Sequence, residues 1–104
     1  MSVMFEFAMF PTDKGESVSG YVSRILKVID GRNVDYKLTP MGTVVEVETM
    51  DEALAIIKDA YEQLEPDCGR IYSAVKFDIR KAKGSRLTQK VASIETKVGK
   101  KLNT

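Results

Sequence analysis

Hydrophobic and polar positions alternate over residues 3–10. Val3, Phe5, Phe7 and Met9 make one apolar face; Met4, Glu6, Ala8 and Phe10 make a mixed one. A period of two predicts a strand. Pro11 through Gly15 read as a turn. From Ser17 to about Asp30 the period lengthens: Val18, Tyr21, Val22, Ile25, Leu26 and Ile29 form the apolar stripe of a helix. Gly31 is placed to end that helix in the left-handed conformation. Residues 34–39 predict a short strand, Pro40-Met41-Gly42 a turn, and Thr43 to Glu48 a β-branched strand completing a hairpin. Thr49 or Asp51 caps a second helix over about 51–64, with Ala53, Leu54, Ile57, Ala60, Tyr61 and Leu64 on one side. Residues 70–80 alternate again, with Ile71, Ser73, Val75, Phe77 and Ile79 sharing a face. After a basic loop, Lys81 to Arg86, the positions Leu87, Val91, Ile94, Val98 and Leu102 predict an amphipathic helix.

The order strand, helix, strand, strand, helix, strand predicts an α+β fold of the ferredoxin-like βαββαβ plan, with an added C-terminal helix. Right-handed crossovers put two helices on one face of a four-stranded antiparallel sheet, in spatial order 4, 1, 3, 2. The covered face is expected to hold Val3, Phe5, Phe7, Met9, Val45, Val47, Val75, Phe77 and Ile79. The other face holds Met4, Glu6, Ala8, Val44, Glu46, Glu48, Tyr72, Ala74, Lys76, Asp78 and Arg80. That mixture of apolar and oppositely charged side chains suits packing on another subunit.

The 104 residues fit a single domain, 1–104, with 81–104 read as a basic loop and helix used in assembly. There is no histidine and one cysteine, Cys68, which removes the Ser-His and Cys-His nucleophile pairs and a soft zinc site. Cys68 reads as a structural or incidental thiol rather than a nucleophile. A single cysteine suits a reducing cytoplasm. No apolar run approaches a membrane span, and the N-terminus carries Glu6 within its apolar stretch and no basic segment before it, so it reads as a strand rather than a signal peptide.

Charge is uneven. Residues 1–79 hold 8 basic and 14 acidic side chains; residues 80–104 hold 8 basic and 1 acidic. Base-stacking RNA domains share the βαββαβ plan, but strand 3 has no aromatic and the acidic sheet face opposes RNA, so nucleic acid is not expected as a partner.

Two clusters carry candidate chemistry. Ser17 and Thr43 converge where strand 1 ends, helix 1 begins and strand 3 starts. Their hydroxyls suit a polar ligand group, or else simple capping and strand propensity. Glu6, Glu46 and Glu48 share a predicted face, where they serve either as paired carboxylates or as ion-pair partners of Lys76 and Arg80. No metal site has a signature spacing.

Several segments together resemble the thiamine-binding protein family. They are Ser17-Val18-Ser19-Gly20-Tyr21-Val22, Tyr36 to Pro40, Met41-Gly42-Thr43-Val44-Val45-Glu46, Asp51-Glu52-Ala53, Arg70-Ile71-Tyr72, Lys76-Phe77-Asp78-Ile79-Arg80 and Lys90-Val91-Ala92-Ser93-Ile94-Glu95. The resemblance spans about residues 3–96. It implies a ferredoxin-like subunit assembled into dimers and tetramers through sheets and terminal helices. It also implies binding of thiamine or its hydroxymethylpyrimidine part, with no established catalysis; no cofactor and no membrane or nucleic-acid partner are expected. The alternative is a structural or regulatory oligomerisation module without a thiamine ligand. Val47 stands where the family often has glycine, which is expected to narrow a nearby pocket. An aminopyrimidine is read by a hydroxyl, a carboxylate and an aromatic wall, and Thr43, Glu46, Ser17 and Tyr36 are the expected suppliers. Thr43 and Glu46 differ in strand parity, so one pocket holding both must wrap a strand end or a subunit boundary.

Overall fold

A computed structural model describes residues 1–81 and 86–103, with side chains for all of these except 86–90. The expected basic loop therefore lies largely outside the described residues, as do the side chains of Leu87 and Lys90. The elements are β1 (Ser2–Pro11), α1 (Ser19–Gly31), β2 (Asp35–Thr39), β3 (Gly42–Val47), α2 (Met50–Leu64), β4 (Ile71–Arg80) and α3 (Arg86–Val98). The antiparallel sheet has the order β2-β3-β1-β4. Element order and strand order are the ferredoxin-like α+β arrangement that the alternation predicts. Among the described residues, no helix is long and apolar enough to cross a membrane.

The core lies between the sheet and the first two helices. Val3, Phe5, Phe7 and Met9 of β1, with Val45 and Val47 of β3, pack against Ile25 and Ile29 of α1 and Ala53, Ile56, Ala60 and Leu64 of α2. The outer strand departs from expectation. The register sets Val75 beside Phe7, Phe77 beside Phe5 and Ile79 beside Val3. Yet Phe77 is 39% and Ile79 47% exposed. β4 is an edge strand, and the helices do not reach its outer half. α3 lies instead against β1 and β3.

Two helix ends differ from the sequence reading. The N-cap of α1 is Val18, which makes no side-chain cap bond, and the helix starts at Ser19. Half-buried Val18 packs inward, which leaves Ser17 exposed outside the helix. At the other end Asn33, not Gly31, takes the left-handed conformation, with φ 55°. Its N–H donates to the Asp30 carbonyl at 3.3 Å, and asparagine tolerates that region better than most residues. α2 begins as the sequence implies: Thr49 Oγ1 accepts from the Glu52 N–H at 3.1 Å, and Asp51 and Glu52 face the positive end of the helix dipole.

Two polar ties hold the α1 end of the sheet. Arg24 on α1 grips Asp67 with two bonds of 2.9 Å and donates to the Gln63 carbonyl at 3.2 Å. Asp13, in the β1–α1 loop, accepts from the Gly69 N–H at 2.7 Å, and the Thr12 N–H donates to the Arg70 carbonyl at 2.8 Å. A Cβ on Gly69 would sit 2.8 Å from the Asp13 carboxylate, which would have to shift to make room.

Both ties leave a carboxylate below its ordinary pKa. The Gly69 N–H does this for Asp13, and the Arg24 guanidinium for Asp67. A carboxylate depressed in the folded state contributes stability above its unfolded value, and that contribution is lost as pH falls through the folded value. The melting temperature should therefore be insensitive to these groups near neutrality and fall below about pH 4. Asp67→Asn should flatten that acid limb in melts followed by circular dichroism. For the core, Ile29→Ala should cost about 2–5 kcal/mol in chemical denaturation. Leu54→Ala, at a half-exposed position, should change stability by less than about 1 kcal/mol.

Candidate ligand site

A pocket of about 270 Å³ opens between the first turns of α1, the end of β1 and the β2–β3 turn. Val18, Val22, Ile25 and Leu26 form its roof, and Phe7 through Phe10 its floor. Leu38 through Thr43 close the third side. Among the described residues, no lining side chain is ionisable. The space sits at the small end of the range for organic ligands and has their usual apolar lining.

Local chain chemistry builds the third side. Pro40 and Met41 make the turn, and Thr39 pairs with Gly42 across it. The Thr39 hydroxyl accepts from the Met41 N–H at 3.2 Å and the Gly42 N–H at 3.1 Å, and donates to the Gly42 carbonyl at 2.7 Å. That hydroxyl is fully used in holding the turn. Gly42 approaches β1 closely: a Cβ there would sit 3.1 Å from the Phe7 carbonyl oxygen, tighter than most such contacts. The turn carries Met41, 86% exposed, and Leu38, 60% exposed, as an apolar rim at the mouth.

Thr43 is 4% exposed and lines the pocket. Its hydroxyl has no hydrogen-bond partner among the described residues, and no fully buried side-chain polar atom among them lacks one. The hydroxyl is therefore accessible from the pocket and unpaired.

Of the four expected site residues, the structure brings Thr43 to the pocket and places the other three elsewhere. Ser17 is exposed, one residue before the pocket wall begins at Val18. The Tyr36 hydroxyl donates to Asp30 at 2.9 Å, and that bond raises its pKa; the ring packs on the core. Glu46 is buried near the far end of β3, where it accepts from the Ser2 hydroxyl. The parity difference holds in three dimensions: Thr43 faces the helices and Glu46 the other side of the sheet. Val47, expected to narrow a pocket, is a core residue beside Val3 at the opposite end of β3 from Thr43.

The other candidate groups are engaged structurally. Glu6 pairs with Lys76 across the strands at 2.9 Å. Burial and the Asp67 carboxylate push the Cys68 thiol up, which disfavours the thiolate. The residues that sequence reading missed are Leu38, Met41 and Phe10. Leu38 lies in the predicted short strand, Met41 in the predicted turn, and Phe10 on a predicted mixed face. Val18 and Val22 were legible as a helix stripe, though not as a pocket wall.

Fold and site together define a ferredoxin-like α+β domain with an apolar pocket at the hairpin end of its sheet. A family model described as thiamine-binding protein matches residues 5–95, and the chain belongs to that family. It is 34% identical over 92 residues to the UPF0045 protein MJ1052 of Methanocaldococcus jannaschii, an alignment covering 88% of this chain and 91% of that one. A UPF0045 protein of Methanothermobacter thermautotrophicus is 34% identical over 83 residues, covering 79% of this chain and 84% of that one. The crystal structure of MJ1052 superposes with a TM-score of 0.80 at 33% identity, covering 89% of this chain and 95% of that one. A Thermotoga maritima structure, provisionally described as a thiamine biosynthesis/salvage protein, superposes with a TM-score of 0.77. At 19% identity, covering 90% of this chain and 99% of that one, it shows the shared fold.

Thr43→Ala would remove an unpaired hydroxyl and one methyl group from the pocket wall. It should lower stability by about 1 kcal/mol, the typical cost of a point change. Thr39→Val should loosen the turn, read as faster hydrogen exchange at the Met41 and Gly42 amides.

Proposed function

We propose that this protein is a non-enzymatic binding protein for thiamine or its hydroxymethylpyrimidine part, working as a homo-oligomer in the cytoplasm. The observation that carries the reading is the pocket: an apolar slot into which Thr43, a residue only 4% exposed, brings an unpaired hydroxyl, in a chain of the thiamine-binding family. A flat pyrimidine matches such a lining, and Thr43 offers it one directional bond. A fixed positive charge is costly to bury without a partner. With no carboxylate in the lining, the pyrimidine half of thiamine enters and the thiazolium stays at the mouth. The absence of histidine from the chain, and of ionisable side chains from the lining among the described residues, favours binding over catalysis. One half-buried cysteine is consistent with a reducing compartment.

Self-association is favoured by β4. It is a ten-residue edge strand with Phe77 and Ile79 exposed on one face and Tyr72 on the other. An uncovered apolar edge invites pairing with another chain. The same surface favours a second reading, an assembly module with no thiamine ligand.

Calorimetric titration with thiamine and with hydroxymethylpyrimidine separates the two readings. Heat of binding, weakened about tenfold by Thr43→Val and unchanged by Glu46→Gln, is the expected result. No heat and no thermal shift at millimolar ligand leaves the assembly module. Sedimentation should find an oligomer at micromolar concentration, and Ile79→Asp should shift it toward monomer.

A further inference from the structure

The central strand outruns its neighbour. β1 pairs with β4 from Ser2 to Pro11, but with β3 only from Val3 to Phe7. The last β1–β3 pair is Phe7 with Thr43, because the chain turns away at Gly42 to close the hairpin with Thr39. Backbone polar groups along a strand alternate between its two neighbours. Gly42 turns its own toward β2, with its N–H on Thr39 Oγ1. Thr43 therefore turns its groups toward β1, and Phe7 turns its groups toward β3. The close approach of Gly42 to the Phe7 carbonyl oxygen agrees with that direction. Two residues on, Met9 turns its N–H and C=O to the same side, and there β3 has ended.

Met9 lines the pocket and is 6% exposed. No backbone bond from Met9 to the turn at Pro40 and Met41 takes the place of the missing strand. A buried, unpaired backbone N–H and C=O carry a free-energy cost like that of a lost hydrogen bond, and something normally pairs with them. The Thr43 hydroxyl, also unpaired, lies on the last residue of β3 to face β1.

We propose that the Met9 main chain is the recognition edge of this pocket. A flat heterocycle with a ring-nitrogen acceptor next to an exocyclic amine continues the β1–β3 ladder where β3 stops. The ring nitrogen accepts from the Met9 N–H, the amine donates to the Met9 carbonyl, and a further polar substituent meets Thr43. The inference rests on the ligand reading above and specifies how that ligand is read: by backbone, in place of the carboxylate that an aminopyrimidine site is expected to use. It also sets the ligand class. Amino-substituted pyrimidines fit, and rings without the adjacent donor and acceptor do not.

The test uses the full chain labelled with 15N and two probes, hydroxymethylpyrimidine with its 4-amino group and the same ring without it. The expected result has three parts. The Met9 amide signal shifts on adding the first probe, its hydrogen exchange slows, and the ring without the amine binds at least about tenfold more weakly. If the first probe binds while the Met9 amide neither moves nor slows, or if both rings bind equally, the backbone reading is overturned and the ligand reading stands. If neither ring binds, both are overturned.

Discussion

Everything in this domain hangs on β1, the central strand, whose pairing is unequal on its two sides. Its inward residues Val3, Phe5, Phe7 and Met9 supply the sheet's share of the core, and both helices pack over them. Toward β4 it is paired along its whole length; toward β3 it is paired over half. The short side leaves an opening at the hairpin end, and the pocket is the space that opening creates beneath α1.

The same asymmetry separates the two kinds of surface. At the hairpin end the deficit is small and enclosed, with apolar walls and a few unpaired polar groups, which suits a small molecule. Along β4 the deficit is long and open, with exposed rings and an unpaired strand edge, which suits another chain. The ties at Arg24–Asp67 and Asp13–Gly69 fasten the loops at the start of α1, so the pocket roof is anchored to the body of the domain rather than carried on a free segment.

Most of the fold was legible because apolar spacing decides it. The two-residue rhythm of β1 and the stripe from Val18 to Ile29 name their elements and the faces they bury. The misses arise where neighbours decide. Ser17 looks like a cap, but Val18 is drawn inward and sets where the helix begins. Gly31 looks like the helix stop, but the chain turns left-handed at Asn33. Phe77 and Ile79 have the right parity for the core, yet no pattern in the chain shows that the helices stop short of an edge strand. For the site, Thr43 was legible from its place at the start of β3, and its parity already set it apart from Glu46. Tyr36 had a nearer partner in Asp30. The role assigned to Met9 was not legible, because it depends on where the neighbouring strand ends and uses no side-chain chemistry.

The central claim is that the opening beside β1 is where this protein holds its ligand. A crystal structure with hydroxymethylpyrimidine tests it most directly. The account predicts density for the ring between Met9 and Thr43, beneath Val18 and Val22. Density on the opposite sheet face beside Glu46, with the pocket left to solvent, would contradict it.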